Sequence, residues 1–162
     1  MGKGEIAIDD PRSNDVRGLL ARHVAFAHSH VPPNDRHALD SDGLSDPTIQ
    51  FYSLRVNHEL LAIGAIKKID EEHAELKSMH TVEHARGHGL GREMLEHLMR
   101  VARASGFSRV SVETGSVPAF TAARSLYASA GFEVCGPFGE YSASPNKTFM
   151  TLKLTEVTCR GR

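Results

Sequence analysis

The sequence predicts an α/β protein with one mixed, mostly antiparallel sheet and helices on both faces. Its 162 residues are 40% hydrophobic and 24% charged, which is typical of a globular chain and sufficient for a single domain over residues 1–162. Three strand patterns follow one another in the middle of the chain and predict an antiparallel meander. Helical and strand patterns then alternate, which predicts βαβ crossovers packed against the same sheet.

The N-terminal part of the chain is expected to form one strand and one long helix. Ile6 and Ile8 alternate in a stretch flanked by charged residues, a pattern typical of a strand. Pro11, followed by Ser13 or Asn14, is a helix-start signal. The apolar face of the helix that follows contains Val16, Leu19, Leu20, His23, Val24 and Ala27.

Residues 31–47 contain three prolines and four aspartates but little periodicity. A stretch this long without regular structure is often a lid or a binding loop in a compact domain. We expect such a loop here, with a short helix around Ala38-Leu39.

The meander and the crossovers occupy the rest of the chain. The three meander strands are predicted at Ile49–Val56, Glu59–Ile69 and Glu75–Val82, the first two joined at Asn57-His58. An amphipathic helix follows the sequence ARGHGLG, since apolar residues recur at helical spacing: Leu90, Met94, Leu95, Leu98, Val101 and Ala102. The remaining elements are a strand at Arg109–Glu113, a helix over Ala119–Ala130 between Pro118 and Gly131, strands at Phe132–Cys135 and Thr148–Leu154, and a frayed tail from Thr155.

Composition argues against several classes of function. The formal charge of −1 gives no reason to expect a general nucleic-acid binder or a polybasic membrane anchor. The N-terminus has no apolar segment typical of a secretory signal, and the longest apolar run, residues 60–66, is too short to span a bilayer. Cys135 and Cys159 form no C-x-x-C pair, so we expect two reduced thiols and a cytoplasmic protein.

The stretch ARGHGLGREM at residues 85–94 is the most informative motif. Its glycines read G-x-G-x-G, which matches neither the dinucleotide-binding G-x-G-x-x-G nor the G-K-[ST] end of a Walker loop. The loop lies between a predicted strand and a predicted helix, where free amides and the helix dipole favour an anion. Between residues 85 and 109 there are five arginines and two glutamates. We therefore interpret the loop as an anion site, with a bare tight turn as the alternative.

Two motifs together resemble a known family. The stretch R-G-H-G-L-G at residues 86–91 fits [R/Q]-x-x-G-x-[G/A] and resembles motif A of the GNAT superfamily of N-acetyltransferases. The stretch LYASAGF at residues 126–132 is similar to the L-Y-x-x-x-G-F that ends that family's next crossover helix. The resemblance covers about residues 48–154. HALD, ELKSMHT, ETGS, CGPFGEY and PNKTFM resemble a bacterial branch whose substrates are poorly defined. Phe120 departs from the family pattern, because many members have Asn seven residues before the tyrosine.

The resemblance implies a transferase that moves an acetyl group from acetyl-CoA to a primary amine by direct attack. Tyr127 stands at the position of the acid that protonates the leaving thiolate, and a core aromatic residue is the alternative reading. A donor amide near Met79 would stabilise the thioester oxygen. The residues matched to the acetyl-CoA site are Met79, His80, Thr81, Arg86, Gly87, His88, Gly89, Leu90, Gly91, Arg92 and Phe120.

The base that takes the amine proton is left open among Glu75, His80, Glu113 and a water chain. His37 and Asp40 in the 31–47 loop, together with Glu113, are expected to contact the acceptor, since the acidic loop would suit a cationic amine. His28, His30 and His37 are candidate metal ligands. Neither Cys nor a well-spaced further ligand accompanies them, so no metal is expected.

Two other functions compete with the enzyme. A GNAT-fold module that binds acyl-CoA as a sensor or interaction domain would share the loop and lack turnover. A nucleotide-phosphate protein is disfavoured, because neither a Walker lysine nor a Mg²⁺ ligand pattern is present. Dimers are common in the family, so the resemblance allows a homodimer acting on a small-molecule amine.

Overall fold

The computed structural model describes residues 3–154 and contains seven strands and three α-helices in that range. The strands are β1 (Glu5–Ile8), β2 (Ile49–Val56), β3 (Glu59–Lys68), β4 (His73–Thr81), β5 (Arg109–Gly115), β6 (Glu133–Cys135) and β7 (Lys147–Lys153). The helices are α1 (Asn14–His30), α2 (Leu90–Ala104) and α3 (Thr121–Ser129). The predicted tail from Thr155 lies outside the described residues.

All seven strands form one sheet in the order β1-β2-β3-β4-β5-β7-β6. Neighbouring strands are antiparallel except for β4 and β5, which are parallel and connected through α2. The predicted mixed, mostly antiparallel sheet is thus confirmed. The second crossover differs from a simple βαβ unit, because β7 inserts between β5 and β6. This insertion gives β5 an antiparallel partner along its whole length.

The predicted hairpin forms at Asn57 and His58. Both residues have positive φ, 50° and 69°, as a two-residue type I′ turn requires. Asn tolerates this left-handed region because its short side chain can bond locally. The turn sets the register in which Val56 faces Glu59.

The helices flank both faces of the sheet. A Cβ added to Gly64 of β3 would lie 2.7 Å from Met94 Cγ of α2 and 2.9 Å from Met79 Sδ of β4, so α2 packs on the face to which Met79 points. His80 is the next residue of β4 and contacts His23 of α1 on the opposite face. Because side chains alternate along a strand, α1 and α2 enclose the middle of the sheet.

Helix α2 supplies much of the core. Five of its six predicted apolar-face residues are buried, whereas Val101 is only partly buried and Met99 is buried in addition. The buried residues of the helix are Leu90, Met94, Leu95, Leu98, Met99 and Ala102. After its end, Gly106 adopts φ of +86°, the conformation typical of a residue just past a helix C-terminus. Among residues 3–154, no helix has the length and apolarity needed to cross a membrane.

The 31–47 segment packs on the rest of the protein through Leu39 and His37. It differs from the prediction in one detail. The short helix expected around Ala38-Leu39 is absent. Single 3₁₀ turns form instead at Pro33–Asp35 and Gly43–Ser45, where Pro favours the first and a hydrogen bond from Gly43 N to Asp40 Oδ1 (2.8 Å) tightens the second. Pro118 likewise opens a 3₁₀ turn, Pro118–Phe120, which precedes α3.

We predict that Leu98→Ala lowers the free energy of unfolding by about 2–5 kcal/mol, because it leaves a cavity at a fully buried position between α2 and the sheet. Urea denaturation monitored by circular dichroism measures the change. Arg100→Ala, on the exposed side of the same helix, should stay within about 0.5 kcal/mol of wild type. A loss at Leu98 no larger than that of the control would contradict this packing.

Candidate active site

A cleft opens where β4 and β5 separate. The two strands pair only from His73 opposite Arg109 to Leu76 opposite Val112. Beyond this point β4 continues along β3, while β5 continues along β7 to Gly115. The gap between them leads into a cavity of about 480 Å³, which is bordered by both strands, the glycine loop, α1, α3 and the 31–47 segment.

A bulge in β4 shapes one wall of this cleft. Three steps of β4, from Lys77 to His80, lie opposite only two steps of β3, from Ala65 to Ile63, and Ser78 takes φ of +57°. The Ser78 hydroxyl is buried and has no hydrogen-bond partner among the described residues. Because β5 has turned away, the β4 edge at the cleft can offer its backbone groups to an extended ligand.

The glycine loop forms the second wall. Gly87 and Gly89 have φ of +82° and +78°, a conformation that disfavours other residues, and the space beside each Cα is open. Helix α2 begins at Leu90 with Gly89 as its N-cap, and no side chain caps it. The first amides of α2 are therefore free of intrahelical partners, an arrangement that favours an anion. Arg86 is anchored beside them through Nε, which donates to Thr81 O at 3.2 Å.

The structure brings most of the predicted acetyl-CoA residues to the cleft. Those that line it are Met79, His80, Thr81, Arg86, Gly87, Gly89, Leu90, Gly91 and Phe120. The side chains of His88 and Arg92 do not line it. His88 is exposed, and the Arg92 guanidinium donates to Ser129 Oγ at 2.8 Å.

Aromatic side chains from α1 and the 3₁₀ turn before α3 cover the third wall. Phe120 packs over Gly115, where an added Cβ would lie only 2.2 Å from the ring. Its ring contacts Phe26 edge to face, with centroids 5.4 Å apart. At the position where many GNAT members have Asn, this chain therefore has an apolar wall.

Two histidines meet on this wall. Nδ1 of His23 and Nδ1 of His80 are 3.1 Å apart, so one must carry the proton that the other accepts. Burial lowers the pKa of both rings to about 4, and nearby positive charge adds to the effect, from His80 and Lys77 on His23 and from Arg86 and Arg22 on His80. The pair is therefore neutral at pH 7.

Tyr127 reaches the cleft from α3. It is 4% exposed, its ring packs against Phe132, and its hydroxyl donates to no group among the described residues. Burial raises the Tyr127 pKa well above its usual value of 10, so the hydroxyl keeps its proton. This tyrosine is both a core residue and a cleft residue, and the two readings of the sequence are compatible.

Two buried ion pairs also line the cleft. Glu75 Oε2 lies 3.2 Å from Lys77 Nζ and accepts a hydrogen bond from the Tyr141 hydroxyl at 2.5 Å. Burial, followed by the charge and hydrogen bond of Glu75, raises the Tyr141 pKa well above its usual value. Glu113 Oε1 lies 2.6 Å from Lys147 Nζ.

Glu113 also binds the 31–47 segment. Its second carboxylate oxygen, Oε2, lies 2.5 Å from His37 Nδ1. Two residues expected to contact the acceptor, His37 and Glu113, are thus in direct contact. Asp40, the third, is not brought into the cleft, because its carboxylate turns back to Gly43 N and the residue faces the surface.

Sequence reasoning missed Lys77, Tyr141, Lys147 and His23 as cleft residues. Three of them lie inside stretches that resemble the family, ELKSMHT, CGPFGEY and PNKTFM, and this was the available signal. His23 was assigned only to the apolar face of a helix. Within residues 3–154, no cluster of three or more His, Cys, Asp or Glu is arranged to hold a metal ion.

The chain matches the acetyltransferase (GNAT) family over residues 18–132, a range that includes strands β2 to β5, the glycine loop and Tyr127. The chain belongs to this family and is an acyltransferase. It is 40% identical over 149 residues to the uncharacterized N-acetyltransferase YsnE of Bacillus subtilis, covering 92% of this chain and 99% of the relative. It is 38% identical over 151 residues to the uncharacterized N-acetyltransferase YedL of Escherichia coli, covering 93% and 95%.

Solved structures share the fold. An acyl-CoA N-acyltransferase from Klebsiella pneumoniae is 25% identical, with a TM-score of 0.75 and coverage of 94% of this chain and 98% of the other. A GNAT acetyltransferase from Elizabethkingia anophelis, solved with acetyl-CoA bound, has a TM-score of 0.70 at 15% identity over 93% and 98%. A Bacillus subtilis acetyltransferase in complex with CoA has a TM-score of 0.69 at 17% identity over 94% and 100%.

The histidine pair predicts a pH dependence of stability. The folded pKa values are about 4 and the unfolded value is 6.5. Between these pH values the two histidines bind protons in the unfolded chain but not in the folded chain. Stability is therefore complete above about pH 6.5 and falls as the pH drops toward 4. We expect the pair to lower the free energy of unfolding by about 2–3 kcal/mol between about pH 7 and pH 5, with the smaller share from the less buried His80.

Urea titrations of wild type and the double variant His23→Gln/His80→Gln at both pH values measure the contribution of the pair to the pH dependence. His73 and His97 also have lowered pKa values, but they are present in both proteins, so their effect cancels in the comparison. The exposed turn variant His58→Asn serves as control and should keep the wild-type pH dependence. An unchanged pH dependence in the double variant would refute the role of the pair.

Proposed function

We propose that this protein is an N-acetyltransferase that moves the acetyl group of acetyl-CoA directly to the primary amine of a small molecule. One observation carries the proposal: the free amides of the glycine loop, the unpaired edge of β4 and the partnerless hydroxyl of Tyr127 all face one cleft. The fold neighbours that hold acetyl-CoA or CoA support the choice of donor.

In this proposal the glycine loop binds the donor's pyrophosphate. The amides of residues 87–91 supply hydrogen bonds, since the Arg86 amide already donates to Glu83 O, and the Arg86 guanidinium supplies a positive charge. His88 and Arg92 contribute through the backbone and the local field, since their side chains point elsewhere. Met79, His80 and Thr81 offer the free β4 edge to the pantetheine arm, and an amide on this edge stabilises the thioester oxygen as it becomes negative.

Tyr127 protonates the departing sulfur in this scheme. A free thiol titrates near pH 8.5, and the raised pKa of Tyr127 keeps its proton available throughout the working range. Because the Tyr127 hydroxyl donates to no group within residues 3–154, its proton is available to the sulfur.

For the base, we propose His37 oriented by Glu113. The contact from Nδ1 to Glu113 fixes which ring nitrogen carries the proton and leaves Nε2 to accept one from the amine. Glu75 is the second candidate, but its Oε2 is occupied by Tyr141 and Lys77. His80, with a pKa of about 4, is neutral at pH 7 yet a weak base.

The competing function is a sensor that binds acyl-CoA without turnover. It would use the same loop and strand edge and would have no use for an acid at Tyr127. Cytoplasmic location, absence of a nucleic-acid or membrane partner, a single domain over residues 1–162 and a homodimer remain predictions of the sequence. Size-exclusion chromatography with light scattering tests the assembly.

We predict that Tyr127→Phe lowers kcat by about 100-fold or more and changes the Kd for acetyl-CoA by no more than about twofold, because only a proton donor is lost. CoA release with a thiol reagent across a panel of amines measures kcat, and calorimetry measures Kd. Tyr52→Phe is the matched control, since its hydroxyl bonds Gln50 outside the cleft. A sensor would show no turnover in either protein, with donor binding intact.

We predict that Arg86→Gln weakens acetyl-CoA binding by about tenfold, through loss of one charge-assisted hydrogen bond to a phosphate. The effect should shrink at high salt, because ions screen an exposed charge. Arg103→Gln, near the other end of α2, should bind acetyl-CoA as wild type does. Equal affinities for the Arg86 variant and wild type would remove Arg86 from the donor site.

A further inference from the structure

The charges that line the cleft do not match a simple cationic acceptor. Of the aspartates in the 31–47 segment, none lines the cavity. Within the described part of the chain, the cleft contains two acidic side chains, Glu75 and Glu113, and four basic side chains other than histidine: Arg36, Lys77, Arg86 and Lys147. Arg86 is assigned to the donor phosphates. Three cations and two carboxylates are left for the acceptor side, so a polyamine would meet repulsion there.

Lys147 is the cation best placed for a ligand. Its side chain is only 8% exposed, and its ammonium carries three donors. Glu113 Oε1 is its one side-chain partner among residues 3–154. The Lys77 ammonium, in contrast, is shared between Glu75 and the Tyr141 hydroxyl. Arg36 uses Nε and one terminal nitrogen on the carbonyls of Val31 and His28 near the end of α1.

Lys147 and the proposed base lie side by side. They contact the two oxygens of a single carboxylate, since Lys147 binds Oε1 of Glu113 and His37 binds Oε2. A ligand whose amine approaches His37 therefore has Lys147 as a neighbour. A carboxylate on the carbon next to the amine would reach the spare Lys147 donors and form a charge-assisted hydrogen bond.

We propose that the acceptor is an α-amino acid, with its carboxylate on Lys147 and its amine facing His37. This proposal rests on the N-acetyltransferase function proposed above. The amine nitrogen attacks the thioester carbon, a C–N bond forms and the C–S bond breaks. His37 takes the amine proton and Tyr127 gives one to the sulfur. The products are an N-acetyl amino acid and CoA, and the carboxylate is unchanged.

The first test compares matched acceptors on the wild-type enzyme. Each of a panel of amino acids is paired with its α-carboxamide, for example phenylalanine with phenylalaninamide, and CoA release gives kcat/KM. The carboxylate raises the pKa of the neighbouring ammonium, so the amide has more neutral amine at a given pH. A preference for the acid therefore cannot come from protonation. We expect the best acid to exceed its amide by at least about tenfold.

The second test determines whether Lys147 binds the carboxylate of the acceptor. Lys147→Met should bring the ratio of acid to amide close to one, and Lys147→Arg should restore a large part of it because it keeps the positive charge. Lys153→Gln, an exposed lysine at the end of the same strand, is the control and should retain the wild-type ratio. Calorimetry with acetyl-CoA verifies that each variant still holds the donor.

Three outcomes overturn the inference. Equal kcat/KM for acids and amides would reject the α-amino acid while leaving the N-acetyltransferase function intact. A wild-type preference that survives Lys147→Met would reject Lys147 as the residue that reads the carboxylate. Donor binding without turnover of any amine or amino acid would reject the proposed function itself and this inference with it.

Discussion

The separation of β4 and β5 after Leu76 and Val112 is the constraint on which the whole site depends. Parallel strands normally stay paired because each buried amide needs a partner. Here β5 keeps its partners through the inserted strand β7, and β4 keeps its own through β3. The backbone is therefore satisfied on the outer sides, and the bulge at Ser78 turns the inner edge of β4 toward the cleft. The unpaired edge of β4, the glycine loop and Tyr127 all lie at this opening.

The electrostatics of the cleft follow from its depth. Charges buried this far from water require partners, and Glu75 with Lys77 and Glu113 with Lys147 provide them. The two histidines on the aromatic wall have no carboxylate partner among residues 3–154, so burial keeps them neutral and they bond to each other. One side of the cavity is thus polar and charged, and the side made by Phe26 and Phe120 is apolar. Such an arrangement orients a ligand that has both kinds of surface.

Sequence reasoning succeeded where local chemistry decides the structure. The turn at Asn57-His58 and the glycine loop depend on backbone preferences of a few neighbouring residues, and α2 on a strong helical pattern. It was wrong about a helix at Ala38-Leu39, because contacts from that segment to Glu113 and to the core outweigh local propensity. It did not associate Lys77, Tyr141 and Lys147 with the cleft, because Tyr141 meets Glu75 and Lys147 meets Glu113 only in the folded chain, across long separations in sequence.

The sequence by itself determined the family, the mixed sheet, the position of the glycine loop and the tyrosine after it, since each rests on a short pattern whose meaning does not depend on distant residues. Only the tertiary structure decided which side chains share the cleft. It brought His37 from the 31–47 segment onto Glu113, brought Lys147 from β7 to the same carboxylate and left Asp40 outside. Register and packing set these contacts, because a side chain reaches the cleft only if its strand position and its segment's path point it there.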